Sequence, residues 1–300
     1  MGDRGVVAPP APGTPAAPGA APRGARRLRR PPQPVLRGVG VALLLLGAVV
    51  LGFAGYLYGL SGIQESRAQS VLYQQLQLEL ANEVAPLGAV PPGSPVAILS
   101  IPAIGMHDLV VVEGTSAANL TAGPGLLRDA PLPGQAGVSE IFGRRATFGA
   151  PFGRLAQLRP GDEIQAITGQ GYATYQVAAV SDIHQAIDDQ DPDRLVLLTA
   201  SSATVPTYDV TVDARLTSPV QAWLPPARTI STAELPLAGD GSALGLVVLW
   251  GLALAAVSAA GTFAAIRWAR WPAYLVTVPI VLAVLWNLYQ GLAELLPNVY

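Results

Sequence analysis

Apolar positions fall into two regimes along this chain. Three runs carry no charged residue at all: Gly38–Ile63, Ala243–Ile266 and Ala273–Ala293, of 26, 24 and 21 residues. A helix needs about 20 apolar residues to cross a bilayer, so each run predicts a transmembrane helix. Between the first and second runs the pattern shortens. Gln64–Val84 mixes Val71, Leu72, Leu76, Leu78 and Leu80 with Glu65, Arg67, Glu79 and Glu83. It reads as a helical stalk that continues outward and ends at Pro86 and Gly88. From Val96 to Leu216, short strand-like pieces alternate with Gly and Pro turns. The pieces are Val96–Ile101, Leu109–Glu113, Val138–Phe142, Glu163–Thr168, Ala173–Ser181, Leu195–Thr199 and Val210–Leu216. The stretch Tyr172–Val177 alternates most clearly. Evenly spaced short strands with few helices predict a closed β-barrel, an arrangement that hides its edges.

Charge orders these pieces. Residues 1–37 are rich in Pro, Ala, Gly and Arg and are expected to be disordered, because they bury little and their prolines lack donors. The segment ends in a basic cluster, Arg23, Arg26, Arg27, Arg29, Arg30 and Arg37; Arg267 and Arg270 stand between the second and third runs. The positive-inside rule puts both groups on the cytoplasmic side, with Trp268 and Trp271 at headgroup level. The barrel and residues Leu295–Tyr300 then lie outside. A cleaved signal peptide competes for the first run, but 26 residues exceed an h-region of about 7–15 and no A-x-A site follows. A buried helical hairpin competes for the other two. The expected divisions are tail 1–37, helix 38–63, stalk 64–90, barrel 91–217, linker 218–242, and helices 243–266 and 273–293.

Net charge is −2, so no global basic footprint for nucleic acid exists. The chain has no cysteine, which removes disulfides, thiolate metal sites and thiol catalysis together. Asp189, Asp191 and Asp193 alternate within 188–193 in the manner of a calcium loop, but the Gly at position six and the Glu at position twelve are missing. A solvated turn is the plainer reading, and no metal or cofactor is expected.

Several fragments together carry a family likeness. They are Ile101–Gly105, Val112–Thr115, Gly123–Gly125, Pro131–Gly137, Gly143–Arg145, Thr147–Gly149, Pro151–Phe152 and Leu155-x-x-Leu158-x-Pro160-Gly161-Asp162. In order and spacing they resemble a sortase domain of the actinobacterial, membrane-anchored class E type. The resemblance covers residues 96–216 and does not extend to the paired C-terminal helices. It implies an eight-stranded barrel; with the uncharged runs, the expected fold is an all-β, sortase-like closed β-barrel outside the membrane plus three transmembrane α-helices. The resemblance also implies a Cys, His and Arg site that cleaves a sorting motif of a secreted protein and joins the product to an amine.

Each of those three stations departs from the family pattern. Gly143 is followed by Arg144 where the resemblance puts histidine, Leu197-Leu198-Thr199 is followed by Ala200 in place of cysteine, and Asp209 stands near the arginine position. A guanidinium stays protonated, an alanine has no nucleophilic atom, and a carboxylate repels developing oxyanion charge. The catalytic set is therefore expected to be retired. Ser201 or Ser202 paired with His184, in the loop that borders the groove, is the alternative source of chemistry; His107 lies away from the site by the family topology. Arg144, Arg145 and Arg154, with Arg159 nearby, read either as an anion-binding patch or as a solvated loop.

Three functions follow. One is an inactive, sortase-like binding or accessory module for surface-protein sorting, with a surface-protein peptide or a partner sortase as its ligand and the lipid bilayer as its support. The second is an active transpeptidase or hydrolase with serine chemistry. The third is a structural membrane protein that binds through its C-terminal helical hairpin. For topology, a reporter active only outside the membrane should work when fused after Tyr300 and fail when fused at Arg270. The reverse pattern would overturn the arginine-based orientation.

Overall fold

The computed structural model describes residue 2 and residues 33–181, 191–202, 209–226, 229–267 and 270–299. The tail expected to be disordered therefore falls mostly outside the described residues. Helix α1 (Gln33–Gly55) begins before the first uncharged run, with Pro34 in its opening turn, where a missing N–H goes unused. A π-helical turn (Tyr56–Leu60) and α2 (Ser61–Ala81) follow. Two further helices, α3 (Leu244–Arg267) and α4 (Arg270–Leu295), close the chain. Among the described residues, three helices are long and apolar enough to cross a membrane, over Gly38–Ala81, Gly241–Arg267 and Leu275–Leu295. The chain divides into two compact units, Met1–Ala48 and Val49–Tyr300, and the second holds the barrel, α2, α3 and α4.

The middle of the chain folds as predicted into a closed barrel. Its strands are β1 (Pro95–Ile101), β2 (Met106–Glu113), β3 (Gly125–Leu126), β4 (Val138–Phe142), β5 (Glu163–Thr168), β6 (Gly171–Ser181), β7 (Arg194–Ala200) and β8 (Asp209–Leu216). The order around the barrel is β1-β2-β3-β4-β7-β8-β6-β5, closed by antiparallel β1–β5 pairing. Two of the pairs are parallel, β2–β3 and β4–β7. Alternate positions point inward, so Ile164 and Ala166 of β5 and Leu195 and Leu197 of β7 meet Leu99, Ile101 and Val212 in one core. Strand β3 has only two residues, too few for any periodicity. Its Gly125 lies so close to the Gly114 carbonyl that an added Cβ would sit 2.2 Å from that oxygen.

Helix α2 lies along the barrel. Leu76 is fully buried with Ile98 and Val110. Gln69 donates to the carbonyls of Val110 (3.0 Å) and Ala122 (2.7 Å) and accepts from the Val110 N–H (2.8 Å). A single side chain thus continues the hydrogen bonding of β2, where a neighbouring strand would otherwise be needed. The linker is seated as well. Ser231 and Glu234 form a capping box, and the Thr115 hydroxyl donates to the Glu234 carbonyl at 2.6 Å.

At the end of β2 the Glu113 side chain is buried with only a long contact, 4.0 Å, to Arg128. Burial pushes its carboxyl up to about 7, while Arg128 opposes and Glu234 adds to the rise. Its folded-state value therefore lies above the unfolded one. The stability it confers is complete below about pH 4.5 and is lost as pH rises through 7. Glu113→Gln should raise the thermal midpoint at pH 8 and change it least, or lower it, at pH 4.5. Equal shifts at both values in thermal melts would overturn this account of Glu113.

Candidate functional site

The three departed positions lie at the same end of three adjacent strands. Phe142 of β4 pairs with Leu198 of β7, and Ala200 of β7 pairs with Asp209 of β8. Beyond β4 the Gly143 N–H donates to the Leu198 carbonyl (3.0 Å), and the Thr199 hydroxyl returns a bond to the Gly143 carbonyl (2.8 Å). These bonds hold the exit of β4 against the end of β7. Gly143 is required for a local reason: a Cβ there would lie 2.5 Å from the ring of Phe152.

Arg144 turns inward rather than toward this face. It is 0% exposed and the largest fully buried side chain among the described residues. Its Nη2 donates to the Ala117 carbonyl (2.8 Å), its Nε to the Leu120 carbonyl (3.1 Å) and its Nη1 to the Thr147 hydroxyl (3.3 Å). The guanidinium carbon lies 4.6 Å from the ring centroid of Phe148. Burial lowers its pKa to about 10, so it remains a cation at neutral pH. All three nitrogens are thus directed at internal acceptors.

Arg145 is the arginine that faces the departed positions, donating through Nη1 to the Ala200 carbonyl at 3.1 Å. Arg154 points elsewhere, to the Ile104 carbonyl (3.1 Å). Arg144, Arg145 and Arg154 therefore do not converge on one ligand position. Arg159 lies with Asp162 and Ala103 around a shallow, open depression of about 640 Å³. Ser201 and Ser202 follow β7 and are half-buried. His184 and the first residues of the acidic turn, 188–190, lie outside the described residues. Asp193 has a structural use, its carboxylate accepting from the Gly137 N–H at 2.8 Å. No cluster of potential metal ligands occurs among the described residues. His107 is exposed near the start of β2, five residues before Val112, which is level with Gly125 and Phe142. At a rise of about 3.3 Å per residue, it lies roughly 16 Å from the site end.

The loop that carries Arg144 is held on a second side. Phe148, Gly149 and Ala150 have φ of 49°, 74° and 49°, a left-handed run in which two of the three residues carry side chains. The Phe148 N–H donates to the Ser61 hydroxyl (2.9 Å) at the start of α2, and that hydroxyl donates in turn to the Leu57 carbonyl. The Phe148 ring packs edge-on to Tyr56, with centroids 6.3 Å apart.

Two residues invisible to sequence reasoning complete the site. Asn298 and Val299, beyond α4, are both 0% exposed. Val299 shares one apolar cluster with Leu120, Phe142 and Ala200, and its carbonyl accepts from the Arg145 N–H at 3.1 Å. No local pattern marks them, because each of their partners lies far back along the chain.

Comparisons with known proteins match the barrel region of the chain. The sortase domain model matches residues 99–217. Sortase SrtE1 of Streptomyces coelicolor is 30% identical over 166 residues, which is 51% of this chain and 46% of that protein. Sortase D of Bacillus subtilis is 31% identical over 106 residues, 35% of this chain and 49% of its own. The chain thus spans about half the length of these relatives. Among solved structures, sortase E from Streptomyces avermitilis is 26% identical with a TM-score of 0.37, covering 49% of this chain and all of that one.

Removing Arg144 should expose what it holds. Arg144→Ala leaves the Ala117 and Leu120 carbonyls buried without a donor, at about 1–3 kcal/mol each, and opens a cavity. A loss of at least about 3 kcal/mol is expected in denaturant unfolding of the full chain. Arg144→Lys should recover only part of it, because an ammonium cannot reproduce the fork. A change below about 1 kcal/mol would refute this role.

Proposed function

We propose, from the premise that residues 99–217 belong to the sortase domain family, that this chain binds surface-protein peptides at the outer membrane face without joining them. The barrel is a sortase fold, and the family connects it to the processing of surface proteins. One observation carries the non-catalytic reading. Ala200, backbone-paired with Asp209 and beside Arg145, stands where the resemblance puts the thiol, and the chain has no cysteine anywhere. The neighbouring station supports it, since the Arg144 cation is bonded to internal acceptors and offers no lone pair for proton transfer.

In this reading α1, α3 and α4 anchor the protein, with residues 1–37 inside and the barrel outside. Helix α2 is a stalk that fixes the barrel to its anchor, and the linker 218–242 leads to the helical pair. The ligand is an extended peptide of a secreted protein, presented alone or by an intact sortase.

The full chain in detergent should neither cleave a fluorogenic sorting-type peptide nor transfer it to an amine. Millimolar concentrations of the same peptide should still raise its thermal midpoint. Turnover above buffer that disappears on Ser201→Ala or Ser202→Ala would replace this reading with serine chemistry. No turnover and no thermal shift would remove the peptide-binding role.

A further inference from the structure

We propose that the apolar seat at the β4–β7 end is a peptide site kept filled by the chain's own Asn298 and Val299, which an outside peptide must displace. This rests on the reading that this end of the barrel is its peptide-binding face.

The segment is held as a bound peptide would be, through both backbone and side chains. Asn298 donates its N–H to the Ala238 carbonyl (2.8 Å), and its Nδ2 donates to the carbonyls of Thr115 (2.8 Å) and Leu235 (2.9 Å). The next residue reaches the site itself. The Val299 carbonyl accepts from the Arg145 N–H, while its side chain enters the cluster of Leu120, Phe142 and Ala200. Arg145 therefore touches both parts, the Ala200 carbonyl with its guanidinium and Val299 with its backbone. A side chain as large as leucine at 200 would compete with Val299 for that cluster.

The seat is prepared by the linker. Gly239 lets the chain pass so close to the end of α4 that a Cβ there would lie 2.5 Å from the Leu295 carbonyl. Leu237 packs on the apolar cluster from the same side. Occupancy is incomplete in one respect: the Asn298 Oδ1 is buried and has no hydrogen-bond partner. The resident segment carries that cost, and a ligand that directs donors at the Thr115 and Leu235 carbonyls, places no acceptor at that point and follows with an aliphatic residue would bind better. The ligand class is thus a short peptide offering a polar residue with N–H donors and then a β-branched aliphatic one. Tethering gives the resident segment an effective concentration on the order of millimolar, so a free peptide competes only near that range.

The absence of cysteine makes the test direct. In the full chain, Ala200→Cys places one thiol beneath Val299. Maleimide should label it slowly, and adding Val299→Asp should speed labelling at least about ten-fold by opening the site. Val299→Ala should fall between the two, which guards against a misfolded aspartate variant. A synthetic peptide of residues 296–300 at millimolar concentration should slow labelling of the Ala200→Cys/Val299→Asp protein. Equal rates with and without the Val299 substitutions would overturn the proposal. So would an accelerated rate that the peptide fails to slow. Turnover of sorting peptide by the unaltered chain would refute the non-catalytic reading and leave this labelling comparison standing.

Discussion

The buried guanidinium of Arg144 is the interaction on which the rest of the site depends. Moving a cation out of water costs several kcal/mol unless its donors find acceptors, and charge-assisted bonds to carbonyls offset that cost. Here the acceptors belong to residues 117 and 120, in the turn after β2, whereas Arg144 itself follows β4. One side chain therefore ties two connections that the sheet does not join. The same turn supplies Leu120 to the pocket that receives Val299. At the position where the family resemblance puts proton transfer, the Arg144 side chain bonds to internal carbonyls and fixes geometry.

The loop beyond Arg144 would be costly to hold by itself. Three successive left-handed residues are tolerated because each neighbour constrains them. Phe148 lies under the Arg144 cation and against Tyr56, and its N–H is bonded to Ser61. Gly149 faces Glu65 of α2, where a Cβ would come within 2.5 Å of the carboxylate. Strain in this loop is thus balanced by contacts to the helix as well as to the barrel. The π-helical turn and the start of α2 are thus joined to the site loop directly, through Tyr56 and Ser61.

Much of the barrel was legible because its strands are half-buried and alternate, as in β5 and β6. The boundaries of β4 and β5 coincide with the expected Val138–Phe142 and Glu163–Thr168. Strand β3 was not legible, since two residues have no period and its pairing is imposed by β2 and β4. The uncharged runs declared the long helices through length alone. The site was legible only as a set of departures. Sequence could place Arg144, Ala200 and Asp209 at one end of the barrel, but not say that Arg144 points inward. An arginine next to Arg145 reads as surface charge, and only tertiary acceptors on a distant turn reverse that. The seating of Asn298 and Val299 depends on contacts to residues 235 and 238 and, further back, to residues 200, 145 and 115, which no local pattern carries.

Ser61 has a consequence for where this barrel can act. It opens α2 immediately after the π-helical turn, and its hydroxyl holds the Phe148 N–H of the site loop. Gln69, which binds β2, is only eight residues further on, about 12 Å along the helix. A stalk used at full length would raise its domain by about 30 Å. This one instead runs alongside the barrel, with the site loop at its foot. In the proposed membrane-anchored arrangement the site loop, which meets Tyr56 and Ser61 of the uncharged run, thus belongs to the membrane-proximal end of the stalk and not to its tip.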